Sequence, residues 1–263
     1  MIPTLTLNDS NDIPALGLGT WQLTGAGCQN AVRDALTLGY PLIDTAEFYG
    51  NETEVGTGIG KTEVFLSTKV WWEHLSYESV KKACDSSLKK LGRKHLDLYL
   101  IHWPHPTEKM DNAYKALSDL KKDGKIKSIG VSNFTIDQLK DARAYIPVAV
   151  NQIELHPYLQ QKEMQEYCKK VGIKIMAYSP LARGHVISDK TLSEIGNKHG
   201  KTCGQVTLRW IIQKGIIAIP KASSMTHLKE NLEIFDFELN DGEMKKIDAL
   251  DKGERIVRYL HLK

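Results

Sequence analysis

Asp44, Tyr49, Lys69 and His102 are residues whose types could carry out acid–base chemistry together. A tyrosine hydroxyl has an ordinary pKa of about 10, so it exchanges protons at neutral pH only if a nearby cation favours the phenolate. Lys69 can be that cation, and Asp44 would keep the lysine charged and oriented. His102, as a neutral imidazole, can donate a hydrogen bond to an oxygen on which negative charge develops. The chemistry that suits this set is proton transfer to an oxygen on which negative charge develops.

Each of these residues also has a purely structural interpretation when taken alone. Asp44 could cap a loop or helix, Lys69 could be a solvated charge, and Tyr49 could pack. His102 lies three residues before His105, which raises the possibility of a metal site. No further His, Cys or carboxylate spacing completes such a site, so we expect no bound metal.

The elements that must position these residues follow a repeating pattern. Short apolar segments alternate with amphipathic ones, which is typical of a parallel sheet built from strand–helix units. We count eight predicted strands, at 15–19, 41–44, 64–69, 97–102, 127–132, 148–152, 173–179 and 216–220. Helical patterns lie between them, including 29–39, 77–92, 111–124 and 135–147. Thr135 is a predicted N-cap of the last of these helices.

Eight strand–helix units predict an α/β fold, a single closed (β/α)8 TIM barrel that spans residues 1–263 as one domain. Residues 3–14 predict a β-hairpin that closes the bottom of the barrel, and 240–253 an extra C-terminal helix. In such barrels the functional groups gather at the carboxyl ends of the strands. The residues predicted at those ends are nearly all polar: Asp44, Lys69, His102, Ser132, Asn133, Gln152, Tyr178, Ser179 and Lys221.

Composition excludes several classes of function. Lys and Arg number 35 against 32 Asp and Glu, a balance too even for a nucleic-acid binder. No apolar run is long enough to cross a bilayer, and the amino terminus lacks a secretory pattern. The cysteines are scattered without a Cys-x-x-Cys pair, which argues against a disulfide framework. We therefore expect a cytoplasmic monomer with no nucleic-acid or membrane partner.

Ordered motifs along the chain resemble those of the aldo-keto reductase superfamily. They are GLGTW at 17–21, DTAEFYGNE at 44–52, LSTKVW at 66–71, LIHWP at 100–104, SNF at 132–134, NQIELHP at 151–157, AYSPLARG at 177–184 and IPKAS at 219–223. The likeness is greatest to small members that reduce diketo-sugar acids and 2-oxoaldehydes. It implies NADPH-dependent reduction of aldehydes and ketones, with Asp44, Tyr49, Lys69 and His102 as the catalytic tetrad and Tyr49 as the proton donor.

The sequence lacks the Gly-x-Gly-x-x-Gly motif of a Rossmann domain. The resemblance implies instead that NADPH lies across the barrel mouth. Ser132, Asn133 and Gln152 would hold the carboxamide, Tyr178 would stack on the nicotinamide, and Ser179 with the following loop would reach the pyrophosphate. Lys221 and Ser223 match the adenosine-phosphate pocket, Glu230 and Asn231 would meet the adenine, and Thr20 and Leu181 complete the predicted cofactor residues. The alternative is that these polar groups cap helices.

His227 departs from the family pattern, because many relatives have an arginine at this position. Histidine replaces a permanently charged, bidentate group with one that is at most half charged near neutrality. We therefore predict a preference for NADPH over NADH that decreases as the pH rises. Equal catalytic efficiency with both cofactors would refute this prediction.

The resemblance also implies an aromatic substrate pocket formed by Trp21, Trp71 and Trp103, although tryptophans could instead fill core. Two departures bear on selectivity. The second helix, at 55–65, is short and rich in glycine, and the carboxyl end, 251–263, stops early. We expect an open mouth that accepts small dicarbonyls, diketo-sugar acids and aromatic aldehydes.

Two rival functions stay open at this point. The chain could be a non-catalytic, cofactor-binding barrel of the same superfamily, in which case Tyr49→Phe would have little turnover to remove. It could also be a barrel isomerase or aldolase that uses Lys69 as a Schiff-base amine, which borohydride trapping would detect. Asp44 would keep that lysine protonated and weaken it as a nucleophile.

Overall fold

The computed structural model describes residues 2–105 and 107–257. The predicted hairpin forms near the amino terminus. Strands β1 (Thr4–Thr6) and β2 (Asp12–Pro14) pair antiparallel. The Asn8 side chain donates a 2.7 Å hydrogen bond to the carbonyl of Val148, at the start of a barrel strand. Leu7 and Ile13 are buried against side chains of the barrel strands. The hairpin therefore closes the amino-terminal end of the barrel, as predicted.

Eight parallel strands form the central sheet, in the order in which they occur along the chain. They are β3 (Leu18–Gly19), β4 (Leu42–Asp44), β5 (Phe65–Val70), β6 (Leu96–Ile101), β7 (Ile126–Ser132), β8 (Val148–Glu154), β9 (Lys174–Tyr178) and β10 (Ile217–Ala218). The first and last strands meet, because the Gly17 and Gly19 amides donate to the carbonyls of Ala218 and Pro220 at 2.9 and 3.1 Å. The predicted (β/α)8 fold is thus confirmed.

The helices surround the sheet and shield its outer face. They are α1 (Gly25–Thr37), α2 (Glu52–Ile59), α3 (Tyr77–Leu91), α4 (Asp111–Lys122), α5 (Ile136–Arg143), α6 (Lys162–Val171), α7 (Lys190–His199), α8 (Cys203–Gln213), α9 (Met225–Leu232) and α10 (Asp241–Asp248). Thr135 caps α5 in a capping box with Gln138. Helix α10 is the extra C-terminal helix. None of the helices in the described ranges has the length and apolarity needed for a bilayer crossing.

The glycines of the short helix α2 have a packing role. A β-carbon at Gly56 would lie 2.7 Å from the carbonyl oxygen of Lys90, and one at Gly58 would lie 2.8 Å from the β-carbon of Val32. Both distances are too short for a side chain, so these glycines allow α2 to approach α1 and α3 closely. Glycine lowers intrinsic helix stability, as expected, but here it permits the contact that holds the helix.

The predicted early stop at the carboxyl end concerns residues 251–263. Its last part, 258–263, lies outside the described residues. The remaining part, 251–257, follows α10 and runs back to the carboxyl ends of the strands, where the polar side chains lie.

Candidate active site

Lys69 lies at the centre of a buried polar cluster at the carboxyl ends of β4 and β5. Its ammonium nitrogen is 2.6 Å from Asp44 Oδ1, 2.7 Å from the Thr45 carbonyl oxygen and 3.4 Å from the Tyr49 hydroxyl. An ammonium group has three donors, so this geometry suits a charged lysine. Burial lowers the pKa of Lys69, and the Asp44 carboxylate opposes that shift. The predicted pairing of Tyr49 and Lys69 is therefore present.

Asp44 is held by partners on both oxygens. Oδ1 accepts from Lys69, and Oδ2 accepts 2.9 Å hydrogen bonds from the Ser67 hydroxyl and the Gln152 amide nitrogen. Asp44 is 1% exposed, so these partners replace the water that a carboxylate would otherwise need. Its side chain can orient Lys69 because it is itself immobilised.

A short 3-10 helix, Glu47–Tyr49, positions the tyrosine. The Glu47 carboxylate accepts a 2.9 Å hydrogen bond from the Trp71 amide, which docks this helix on the end of β5. Gly50 ends the helix with φ of 67°, a left-handed conformation that glycine adopts without strain. The motif DTAEFYGNE thus carries Tyr49 from the end of β4 to the lysine on β5.

His102 follows β6, and its backbone amide donates to the Val70 carbonyl at 3.0 Å. Burial, followed by the nearby Lys69 charge, holds the pKa of His102 well below its ordinary value. Its ring lies edge-on to the Tyr49 ring, with centroids 5.5 Å apart. Within the described residues, Nδ1 has no hydrogen-bond partner. The lowered pKa favours the neutral imidazole, the form that the hydrogen-bond role predicted from the sequence requires.

The depressed pKa of His102 makes stability depend on pH. Below about pH 6.5 the unfolded chain binds more protons at this position than the folded chain does, so the folded state loses stability as the pH falls, by at most about 1.4 kcal/mol per pH unit. We expect the free energy of unfolding of His102→Gln to fall less than that of wild type between pH 7 and pH 5, by at most about 2 kcal/mol. Urea denaturation at both pH values measures this difference. Equal losses of unfolding free energy in wild type and His102→Gln would contradict the prediction.

Asn51 is a buried residue of the site that the sequence analysis did not single out. Its amide nitrogen donates to the Thr20 and Leu23 carbonyls, each at 2.9 Å, and its oxygen accepts from the Thr45 hydroxyl at 2.8 Å. Asn51 therefore joins the loop after β3, which carries Trp21, to the loop after β4. Asn51 could have been found from its position two residues after Tyr49, within the motif DTAEFYGNE.

Aromatic rings border the tetrad and include Trp21 and Trp71 of the predicted substrate pocket together with Phe48. Phe48 stacks between Trp21 and Trp71, with ring centroids 5.9 and 4.0 Å away. Trp71 also lies edge-on to His102 at 5.3 Å. Phe48 is 43% exposed and was missed, because an exposed phenylalanine has no distinguishing pattern in sequence. Trp103, which was also predicted, is mostly buried and borders the cavity, as Trp21 does, whereas the predicted Trp71 is not among the described residues that border it.

A cavity of about 90 Å³ lies above the tetrad. The predicted residues that border it are Thr20, Trp21, Asp44, Tyr49, His102, Trp103, Ser132, Asn133, Gln152, Tyr178, Ser179 and Lys221. The folded chain thus brings together residues that are distant in sequence. Lys69 lies beneath this layer, fully buried.

The side chains predicted to hold a carboxamide form a connected network. The Tyr178 hydroxyl donates to Asn133 Oδ1 at 2.8 Å, and Asn133 Nδ2 donates to Ser132 Oγ at 3.0 Å. The Ser132 hydroxyl in turn donates to the backbone carbonyl of Gln152 at 2.8 Å. Asn133 has φ of 63°, a left-handed conformation that asparagine tolerates better than most residues. The network holds these groups at fixed positions around the cavity.

The loop after β9 combines unusual backbone with a positive charge. Ser179, Ala182 and Arg183 have φ of 47°, 49° and 52°, each costing about 1–3 kcal/mol for a residue other than glycine. Arg183 borders the cavity together with Lys221, and the sequence analysis did not identify it. Two cations at one mouth favour an anionic ligand. Its position two residues after Leu181, in the motif AYSPLARG, was a usable signal.

Five predicted cofactor residues do not border the cavity. Leu181 packs against the core as a partly buried residue. Ser223, His227, Glu230 and Asn231 lie beyond Lys221, on or just before α9. His227 Nδ1 is 3.0 Å from Glu230 Oε2, so these two side chains contact each other, and Asn231 is buried. Their roles toward a cofactor remain predictions.

Val257 also borders the cavity, and sequence reasoning had no signal for it. The chain before residue 258 therefore reaches the mouth. The expected open mouth stays a prediction.

Comparisons with known proteins agree with this architecture. The sequence profile of the Aldo/keto reductase family matches residues 15–252. The chain is 43% identical to glyoxal reductase of Bacillus subtilis (strain 168), over 96% of this chain and 94% of that protein. The crystal structure of a putative 2,5-diketo-D-gluconic acid reductase B is similar with a TM-score of 0.94 and 39% identity, covering 100% of this chain and 96% of that one. A variant of Gox0644 in complex with NADPH gives a TM-score of 0.93 and 39% identity, covering 95% and 94%.

Proposed function

The chain belongs to the aldo-keto reductase family, and from this premise we propose that it reduces small aldehydes and ketones to alcohols with NADPH, using Tyr49 as the proton donor. The observation that carries this proposal is the contact of Lys69 Nζ with Asp44, Thr45 and Tyr49 beneath a cavity bordered by His102.

The residues around the cavity fit a nicotinamide dinucleotide. Ser132, Asn133 and Gln152 supply amide and hydroxyl groups suited to a carboxamide, and Tyr178 supplies an aromatic face. Arg183 and Lys221 supply positive charge for phosphates. When bound, NADPH supplies the hydride. The NADPH complex of the similar Gox0644 variant supports this choice of cofactor.

The chain's own residues would handle the proton and the charge on the carbonyl oxygen. Tyr49 donates its hydroxyl proton to that oxygen, and the Lys69 ammonium stabilises the phenolate that is left. His102, neutral and nearly buried, donates a hydrogen bond to the same oxygen and orients it. Asp44 holds Lys69 in position through its 2.6 Å contact.

Small dicarbonyls, diketo-sugar acids and aromatic aldehydes are the proposed substrates. Two similar proteins, named glyoxal reductase and a putative 2,5-diketo-D-gluconic acid reductase B, support the first two classes. The aromatic rings of Trp21 and Trp103, which border the cavity, favour aromatic aldehydes. A panel of these compounds with NADPH, followed at the nicotinamide absorbance, tests the proposal. No turnover of any compound would refute it and favour a non-catalytic cofactor-binding barrel.

The Schiff-base alternative is disfavoured by the surroundings of Lys69. A nucleophilic amine needs a free lone pair, whereas this nitrogen is fully buried and contacts a carboxylate at 2.6 Å. After borohydride treatment in the presence of a carbonyl compound, peptide mapping should show Lys69 itself unmodified. A covalent adduct at Lys69 would reverse this assignment.

We expect His227→Arg to strengthen NADPH binding about tenfold and to leave NADH binding unchanged. An arginine is permanently charged and can bind a phosphate with two donors, whereas His227 contacts Glu230. Fluorescence titration of both cofactors against wild type and variant measures the effect. An equal gain for NADH would show that position 227 does not recognise the extra phosphate. Lys140→Arg, on exposed α5, is the matched control.

A further inference from the structure

Glu154, the last residue of β8, is a completely buried carboxylate that the proposed reaction does not use. Its Oε1 accepts backbone hydrogen bonds from Ile256 at 2.7 Å and Val257 at 3.0 Å. The same oxygen is 3.1 Å from His156 Nε2, and Oε2 is 3.4 Å from an Arg255 guanidinium nitrogen. The partners of Glu154 thus lie in two places, the loop after β8 and the C-terminal segment.

The loop after β8 holds the rest of the C-terminal segment as well. The Tyr158 carbonyl accepts from the Lys252 and Glu254 amides, each at 3.1 Å. Gln160 Nε2 donates to the Asp248 carbonyl at 3.1 Å, and its backbone amide donates to Asp251 at 3.2 Å. These contacts hold residues 248–254. Among the described residues, Glu154 is the one whose side chain accepts hydrogen bonds from the Ile256 and Val257 amides.

Val257 lies between two spaces. One is the catalytic cavity, and the other is a groove of about 1030 Å³ between the start of α5, the loop after β8 and residues 251–257. Trp103, Asn133 and Val257 border both spaces. Phe134, Ile153 and Met164 contribute apolar surface to the groove. Val257, together with Trp103 and Asn133, therefore lies at the boundary between the catalytic cavity and this groove.

We propose that Glu154 is a positioning residue for substrate selectivity. Its carboxylate holds the Ile256 and Val257 amides, and so keeps the Val257 side chain as the outer wall of the catalytic cavity. This wall favours compact carbonyl compounds such as 2-oxoaldehydes, because a bulky substituent would have to extend past Val257 toward the groove. Glu154 is not among the described residues that border the cavity, so it acts through Val257. The inference rests on the proposed function.

The first test compares Glu154→Leu, Glu154→Gln and Val257→Ala. Leucine keeps the volume but removes both acceptors, while glutamine keeps one acceptor oxygen for the two amides. We expect Glu154→Leu and Val257→Ala each to raise KM for methylglyoxal about tenfold and to change kcat less than about twofold. The ratio of kcat/KM for methylglyoxal to that for phenylglyoxal should fall. Glu154→Gln should recover most of the wild-type KM.

The double variant separates positioning from general stability. If Glu154 acts through Val257, Glu154→Leu with Val257→Ala should raise KM no further than Glu154→Leu alone. Additive effects, or a fall in kcat and NADPH affinity with an unchanged substrate ratio, would overturn the proposal. If Glu154→Leu fails to fold, the test rests on Val257→Ala, in which the ratio of kcat/KM for methylglyoxal to that for phenylglyoxal should fall. Lys162→Ala, which removes an exposed ion pair to Asp251, is the control for loosening the segment's surface contacts.

The two proposals fail in different ways. If wild type turns over no carbonyl compound, the proposed function fails. If wild type is active but Val257→Ala leaves the methylglyoxal to phenylglyoxal ratio unchanged, only the inference about Glu154 fails.

Discussion

Tyr49→Phe is expected to lower kcat for carbonyl reduction about a thousandfold, because it removes the hydroxyl that lies 3.4 Å from the Lys69 ammonium. Phenylalanine keeps the ring that contacts Trp21 at 4.8 Å and His102 at 5.5 Å, so the wall of the cavity should persist. NADPH affinity should stay within about twofold of wild type, because the cofactor residues proposed above are untouched.

Steady-state kinetics and cofactor titration on the same preparations measure both expectations. Tyr145→Phe is the matched control, since Tyr145 is 53% exposed and lies outside the site. If Tyr49→Phe retains more than about a tenth of the wild-type kcat, another group donates the proton and the proposed mechanism is wrong. If neither wild type nor Tyr49→Phe turns over a carbonyl compound, the chain is a cofactor-binding barrel without catalysis.

Lys69→Met is expected to remove activity and to destabilise the fold by about 3–5 kcal/mol. The substitution keeps an unbranched side chain but leaves the buried Asp44 carboxylate without its cation. Desolvation of an unpaired charge is costly, and the remaining hydrogen bonds from Ser67 and Gln152 do not neutralise it. Urea denaturation at pH 7 measures the free energy of unfolding.

A second substitution distinguishes stability from catalysis. Adding Asp44→Asn to Lys69→Met removes the unpaired charge, so the double variant should regain much of the lost stability and none of the activity. Lys140→Met is the control, because it breaks only the exposed pair with Asp137 and should leave unfolding unchanged. Recovery of turnover in the double variant would show that Lys69 is not needed to activate Tyr49.

Much of the fold was predictable because strand–helix barrels repeat one local pattern. All eight predicted strands overlap observed ones, since each is a short apolar run bounded by polar turns. Thr135 was correctly predicted as an N-cap, because capping depends on residues within one helical turn. Boundaries were less accurate: α1 begins at Gly25, before the predicted start at 29, because its first turn lacks an apolar periodicity.

The site was predictable where motif and strand end coincide, as at Asp44, Lys69 and His102. It was not predictable at Phe48, Arg183 and Val257, which border the tetrad or cavity only after distant loops converge. Glu154 was equally hidden, since nothing in the motif NQIELHP indicates that its carboxylate holds a segment about a hundred residues further along.

The sequence by itself determined the strand count, the order of the strands and the types of side chain at their ends, because these depend on local periodicity and on the chemistry of single residues. The tertiary structure alone decided which groups meet. Contacts between residues far apart in the chain set the distances from Lys69 to its partners and place Val257 at the cavity. Burial lowers the pKa of His102. No local pattern in the sequence encodes these quantities.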